Sequence, residues 1–173
     1  TLRALDTKEN APTVQRHVDA GAVILGKTNM HELAFGISGY NEGFYTKAPI
    51  GTSNPYNRTR IPGGSSSGTG APVGGRLAPG GLGSDTGGSV RIPASVCGIV
   101  GLKTTVGRVS NYGVLMLSDT LDTIGPMTRD VEDAALLFDA TFLTGSWRET
   151  FRSRWKWHLA LAATWIVLLP LLL

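Results

Sequence analysis

The residues best suited to chemistry in this sequence are two groups of serines set among glycines. Residues 63–93 read GGSSSGTGAPVGGRLAPGGLGSDTGGSVRIP and hold 11 of the chain's 23 glycines and five serines. Glycine at this density costs conformational entropy, so a folded chain keeps it where backbone bends sharply or approaches another group closely. Ser65-Ser66-Ser67 form one cluster, and Ser89, after Gly87-Gly88, stands alone. Gly87-Gly88-Ser89 runs directly into Val90-Arg91-Ile92, which places Ser89 at the start of a short helix. Successive free N–H groups there would converge on one point and could bind an anion. A serine oxygen beside such a nest can attack a carbonyl, and the nest can hold the oxyanion that forms. Spacing alone leaves a second reading open, with Ser89 as an N-cap and the glycines as a turn.

The flanking pattern is that of an α/β fold. Asn10 can cap a helix that has Pro12 in its first turn, carries Val14 and Val18 as its apolar stripe, and stops at Gly21. Ala22–Leu25 is a continuous apolar run, expected as a buried strand of a parallel sheet. Asn29–Phe35 is expected as a second helix. Glycine, proline and asparagine crowd residues 36–62, a long loop that carries Tyr40, Phe44 and Tyr45. These aromatics either line an aryl pocket or anchor the loop on the body. Gly80 and Gly81 weaken the strand expected before Ser84. Pro93–Cys97 ends the helix that Ser89 opens, Ile99-Val100 is a strand end, and Lys103–Asp122 is mostly loop. Asp130 caps a last helix with Glu132 and Asp133 in its first turn, where acidic groups suit the helix dipole. Val131, Ala134, Ala135 and Phe138 fall at i, i+3, i+4 and i+7, so that face should pack on the sheet.

At 173 residues the chain can form one domain with its own core. Net charge is +3, but four of the basic side chains (Arg148, Arg152, Arg154, Lys156) and one acidic side chain lie in residues 146–173. The rest of the chain is neutral. No basic stripe or nucleic-acid motif is present, and no GK[ST] follows Ser65–Gly68, so neither nucleic acid nor a nucleotide is expected as a partner. A single cysteine, Cys97, rules out an internal disulfide and suits a reducing, cytoplasmic compartment. It sits in an apolar run and reads as a buried structural thiol. His17, His31 and His158 lack ligand spacing, so no metal or other cofactor is expected. Leu159–Leu173 is 15 residues without a charge, preceded by basic residues, Trp155 and Trp157. This resembles a membrane entry, though a span needs about 17–25 residues. Sequence fused out of frame fits it equally well. The expected division is residues 1–145 as a catalytic-core segment and 146–173 as a separate tail. The chain has no signal peptide or initiator Met and reads as a fragment.

GGSSSGTG followed by GLGSDTGGSVRIPASVCGIVGLK resembles the signature of the amidase signature family of serine hydrolases. GAVILGKTNMHELAFG, NPYNRTRIPGG and DTIGPMTRDVEDAALL are similar to that family in the same order, and the likeness covers about residues 10–140. Within the family it is more similar to bacterial mandelamide- and indoleacetamide-type amidases. The resemblance implies a partial amidase-signature fold, a mixed, mostly parallel sheet flanked by helices, with the second half of the domain absent. It also implies a helix over Thr69–Leu77, which Pro72, Gly74 and Gly75 interrupt here.

For the site, the resemblance implies Ser89 as nucleophile and Ser65 as a second catalytic serine, with a cis Gly64–Ser65 peptide bond. It implies the N–H groups of Thr86, Gly87, Gly88 and Ser89 as oxyanion hole, and Asp85 and Arg91 as charged residues bracing the loop. Ser65 would relay a proton between Ser89 and a neutral lysine that lies upstream in the family. Lys8, Lys27 and Lys103 give no ground for that role, so this chain alone is expected not to hydrolyse amides at an enzymatic rate. The implied partner is a small-molecule amide, with a homodimer and a membrane contact through residues 159–173 also open. The alternatives are the amidase component of an aminoacyl-tRNA amidotransferase and a noncatalytic, membrane-tethered module.

Overall fold

The structure, a computed structural model, describes residues 9–43 and 51–142. Proline sets the first helix, α1 (Pro12–Asp19), at a position where its missing N–H is not needed. The N-cap is Ala11, and Asn10 Nδ2 instead donates to Gln15 Oε1 at 2.8 Å, so the expected asparagine cap is not formed. The buried side chains of α1 are Thr13 and His17 rather than Val14 and Val18. The reason is the last helix, α4 (Val131–Phe142), which lies against that side. His17 Nε2 is 3.2 Å from Leu137 O, and Arg16 Nη1 donates to Thr141 O at 2.8 Å. Asp130 caps α4 as expected, accepting from Asp133 N–H at 2.8 Å. Ala134 is the buried member of the expected apolar face, while Asp139 and Thr141 are also buried.

Two expectations upstream of the serines fail. Ala22–Leu25 forms no strand, and Val23 and Leu25 are 82% and 75% exposed. A buried strand needs a ladder partner, and none of the described segments lies beside it. Asn29–Phe35 yields only a 3-10 turn, Glu32–Ala34. Its backbone bonds elsewhere: Gly68 N–H donates to Asn29 O at 2.9 Å, His31 N–H to Ser65 O at 2.9 Å, and Glu32 N–H to Tyr40 O at 3.0 Å. Those groups are then unavailable for a helix.

The sheet has three strands, β1 (Gly80–Asp85), β2 (Val100–Gly101) and β3 (Thr123–Thr128), in the order β1-β3-β2. β1 and β2 run the same way and are joined through α3 (Arg91–Val96). β3 fills the slot between them antiparallel to both. The α/β class stands, but both described ladders are antiparallel where mostly parallel pairing was expected. A strand that inserts between the two ends of a β-α-β unit from the opposite direction has no other sense available.

Helix α2 (Ser67–Gly74) is shorter than expected, with Pro72 inside it and Gly75 at its C-cap. Its glycines admit neighbours. A Cβ at Gly68 would lie 2.1 Å from Asn29 O, and one at Gly74 would lie 2.6 Å from Cys97 O. The core joins α2, α3, β3 and the α3–β2 connection: Val73, Val90, Ala94, Cys97, Ile99 and Met127 are all buried together. Full burial of an aliphatic side chain is worth about 1.5–3 kcal/mol, so this cluster holds both helices on the sheet. Lys8, Phe44, Tyr45 and the tail 146–173 lie outside the described residues. Among the described residues no helix is long and apolar enough to cross a membrane.

Candidate active site

Ser89 sits in the turn between the end of β1 and the start of α3, two short elements fixed by the core. The turn is built around Asp85, the last residue of β1, whose side chain is 0% exposed. Its carboxylate accepts from the backbone N–H groups of Gly88 (2.8 Å), Val90 (3.1 Å) and Arg91 (3.3 Å). Arg91 Nε and Nη2 add two more bonds at 3.0 Å each, and Lys103 Nζ lies 3.2 Å away. Burial alone would raise the Asp85 carboxyl; the Arg91 guanidinium, the Val90 amide and the Lys103 charge outweigh it and hold the carboxyl below its ordinary range. Gly88 has φ +140°, which side chains rarely adopt, and a Cβ there would meet Ile92 Cδ1 at 2.8 Å.

This arrangement sorts the four amides expected to form an oxyanion hole. The Gly88 N–H is already bonded to Asp85. Those of Thr86, Gly87 and Ser89 make no hydrogen bond among the described residues. Ser89 lies just ahead of α3 rather than within the helix, beside a carboxylate-tied elbow with three amides that are unbonded among the described residues. The expected bracing pair, Asp85 and Arg91, is in contact.

The serine triplet adjoins this turn. The Gly64–Ser65 peptide bond is cis. Ser66 N–H donates to Ser89 O at 3.1 Å, which ties the two loops together. Ser66 Oγ is 3.2 Å from Ser84 N–H and 3.3 Å from Ser84 O, covering the free edge of β1. Ser65 is 0% exposed, and its hydroxyl has no hydrogen-bond partner among the described residues. The Ser65 and Ser89 hydroxyls are thus in adjoining loops but not hydrogen-bonded to each other. A cavity of about 300 Å³ opens near Ser66, Thr69 and Ser84, lined also by Val14, Met30 and Leu82, but neither Ser65 nor Ser89 lines it.

Known proteins share these segments. The Amidase family model matches residues 2–158. The chain belongs to the amidase family. A glutamyl-tRNA(Gln) amidotransferase component of Natranaerobius thermophilus is 51% identical over 130 residues, which are 75% of this chain and 26% of that protein. Mandelamide hydrolase of Pseudomonas putida is 52% identical over 128 residues, 74% of this chain and 25% of that protein. The solved structure of the corresponding amidotransferase component from Thermotoga maritima superposes with a TM-score of 0.74 at 42% identity, covering 84% of this chain and 31% of that one. The chain spans about a quarter of the length of the curated relatives it matches.

Around this amidase-family elbow lie residues that sequence reasoning passed over. Lys103 Nζ donates to the carbonyls of Asp85 (2.6 Å), Thr86 (3.2 Å) and Leu121 (2.9 Å). Asp122 accepts from Thr86 Oγ1 and from the N–H groups of Leu117 and Ser118. Burial opposes ionisation of Asp122, but the Thr86 hydroxyl and those two amides hold its carboxyl below the usual range. The one signal for Lys103 is its place directly after the apolar run Ile99–Leu102, where a charge must find partners. Cys97 is fully buried, its Sγ 3.3 Å from Pro62 O, and burial pushes its thiol up to about 12. It is a packing residue. Tyr40 is 39% exposed and paired with Glu42, away from the cavity. Among the described residues no cluster of three or more His, Cys, Asp or Glu is placed to hold a metal.

Proposed function

We propose that Ser89 is the nucleophile of an amide hydrolase, with Ser65 as its proton relay and the N–H groups of Thr86, Gly87 and Ser89 as the oxyanion donors. The reading rests on one observation: Asp85 gathers the N–H groups of Gly88, Val90 and Arg91, while those three amides, in the turn that carries Ser89, make no hydrogen bond among the described residues. Membership of the amidase family supports it.

Ser89 Oγ attacks the amide carbonyl carbon while its proton passes through Ser65 toward a base. The tetrahedral oxyanion is held by the free amides, each worth about 2.7–4 kcal/mol in the barrier. The C–N bond breaks as the base returns the proton to nitrogen, and ammonia leaves. Water then cleaves the Ser89 ester and releases a carboxylic acid. A serine hydroxyl is a weak nucleophile near neutral pH and needs that base within about 2.6–3.2 Å. A neutral lysine amine, as the family resemblance implies, would complete the buried Ser65 hydroxyl, which has no partner among the described residues.

The test uses an electrophile that needs less activation than an amide. A fluorophosphonate probe should label the chain at Ser89 and not label Ser89→Ala; labelling that survives the substitution would place the nucleophile elsewhere. Without a base at Ser65, the chain should release no ammonia from aryl or alkyl amides above the Ser89→Ala background. Turnover lost on Ser89→Ala would show that a base is already in place.

The identity to a glutamyl-tRNA(Gln) amidotransferase component supports a second reading, in which the same site draws ammonia from glutamine for transfer. Ammonia release from glutamine, against release from an aryl amide, separates the two once a base is supplied.

A further inference from the structure

Lys103 stands behind the elbow, not in it, and its contacts fall in a pattern. An ammonium carries three protons and no acceptor. Here it meets three carbonyl oxygens, those of Asp85 at 2.6 Å, Thr86 at 3.2 Å and Leu121 at 2.9 Å. Asp85 Oδ1 is a fourth oxygen beside it, at 3.2 Å. Across a trans peptide bond, the C=O of one residue and the N–H of the next point in opposite directions. The Asp85 carbonyl shares its plane with the Thr86 N–H, and the Thr86 carbonyl shares its plane with the Gly87 N–H. These are two of the three turn amides that make no hydrogen bond among the described residues. Both peptide units are therefore gripped from the carbonyl side with their donors turned away from the ammonium. Thr123 Oγ1 adds a longer contact to Asp85 O at 3.5 Å, and Asp122 holds the Thr86 hydroxyl.

We propose that Lys103 is a positioning residue that aims the Thr86 and Gly87 N–H groups at the oxyanion formed on attack by Ser89. The proposal rests on the reading of Ser89 as nucleophile, but its geometric part can be tested separately. In an unheld turn these two peptide planes could rotate, and each donor would have to be reoriented during the reaction. Preorganised donors avoid that cost, which is why a cation behind the turn would influence the rate without touching substrate.

The experiment compares the 173-residue chain with Lys103→Met and Lys103→Arg by two measurements. The first is fluorophosphonate labelling of Ser89, resolved into a saturation constant and a limiting rate. Lys103→Met should lower the limiting rate by about 100-fold with the saturation constant nearly unchanged. Lys103→Arg, which keeps a cationic donor but not the converging geometry, should recover part of that loss. A Lys103→Met chain that labels at the wild-type limiting rate would overturn the proposal. The second measurement is the backbone amide spectrum. In either variant the Thr86 and Gly87 signals should move further than that of Val90, whose N–H is held by the other carboxylate oxygen, Asp85 Oδ2. If they keep their wild-type positions, the positioning role is wrong. If wild type itself takes no label while these signals move, the nucleophile assignment fails and the placement by Lys103 stands. Should Lys103→Met not fold, Lys103→Arg decides on both counts.

Discussion

Asp85 and Ser65 lie in two adjoining loops, both with side chains fully buried, and their surroundings are opposites. The Asp85 carboxylate meets three backbone amides, a guanidinium fork and an ammonium. The Ser65 hydroxyl meets nothing among the described residues. A buried charge is tolerated only when its partners are supplied in full, because uncompensated desolvation costs several kcal/mol. An unpartnered hydroxyl costs only about 1–3 kcal/mol and can persist. The turn around Asp85 is therefore held together by residues 85–122 themselves. Ser65, next to the Ser66–Ser89 backbone link, is left without a hydroxyl partner among the described residues.

The strongest way to break this comparison is to remove the carboxylate. Asp85→Ala leaves Arg91 and Lys103 without their counter-charge and releases three amides at once. Breaking a buried pair by deleting one partner costs about 3–5 kcal/mol. The midpoint of urea unfolding should fall accordingly, and fluorophosphonate labelling of Ser89 should be lost with it. A variant within about 1 kcal/mol of wild type would mean that Asp85 does not organise the turn.

Acid should do the same thing by degrees. The Asp85 and Asp122 carboxyls are held below their ordinary range in the folded chain, so between the two values the unfolded chain binds more protons. Their contribution is then complete above about pH 4 and is lost as pH falls through the depressed folded values. Urea midpoints measured from about pH 7 to about pH 3 should be flat at first and then drop. Asp85→Asn should flatten that drop, since it removes a carboxyl that Arg91, the Val90 amide and Lys103 hold below its ordinary range. An unchanged profile in Asp85→Asn would assign the acid sensitivity to other carboxyls.

What could be read from the sequence follows from how local each interaction is. The Gly87-Gly88-Ser89 junction between a strand and a helix was legible because turn, glycine and serine are adjacent in the chain. Asp130 was legible as a cap for the same reason. Ala22–Leu25 was not, because an apolar run becomes a strand only beside another strand, and no described segment lies there. Asn29–Phe35 has helical spacing, yet its amides and carbonyls are taken by Ser65, Gly68 and Tyr40. Gly74 reads as a weak point of a helix and turns out to be where Cys97 presses against it, as Asn29 does at Gly68. Lys103 carried only the hint of a charge after an apolar run, because its partners are carbonyls 17 and 18 positions away that no residue pattern marks.

The smallest expected effect bears on the other side of the comparison. Ser65→Ala deletes one oxygen from a site where it makes no hydrogen bond among the described residues. Removing an unsatisfied hydroxyl relieves a desolvation penalty and leaves a gap of about one atom, and these terms oppose each other. Stability should stay level or rise by up to about 1 kcal/mol, in contrast to the loss at Asp85. Labelling of Ser89 should be the property that suffers, since Ser65 is proposed as its relay. A Ser65→Ala chain destabilised by more than about 1 kcal/mol would show that the hydroxyl already has a partner. The two loops would then be equally complete, and the need for a further base at Ser65 would disappear.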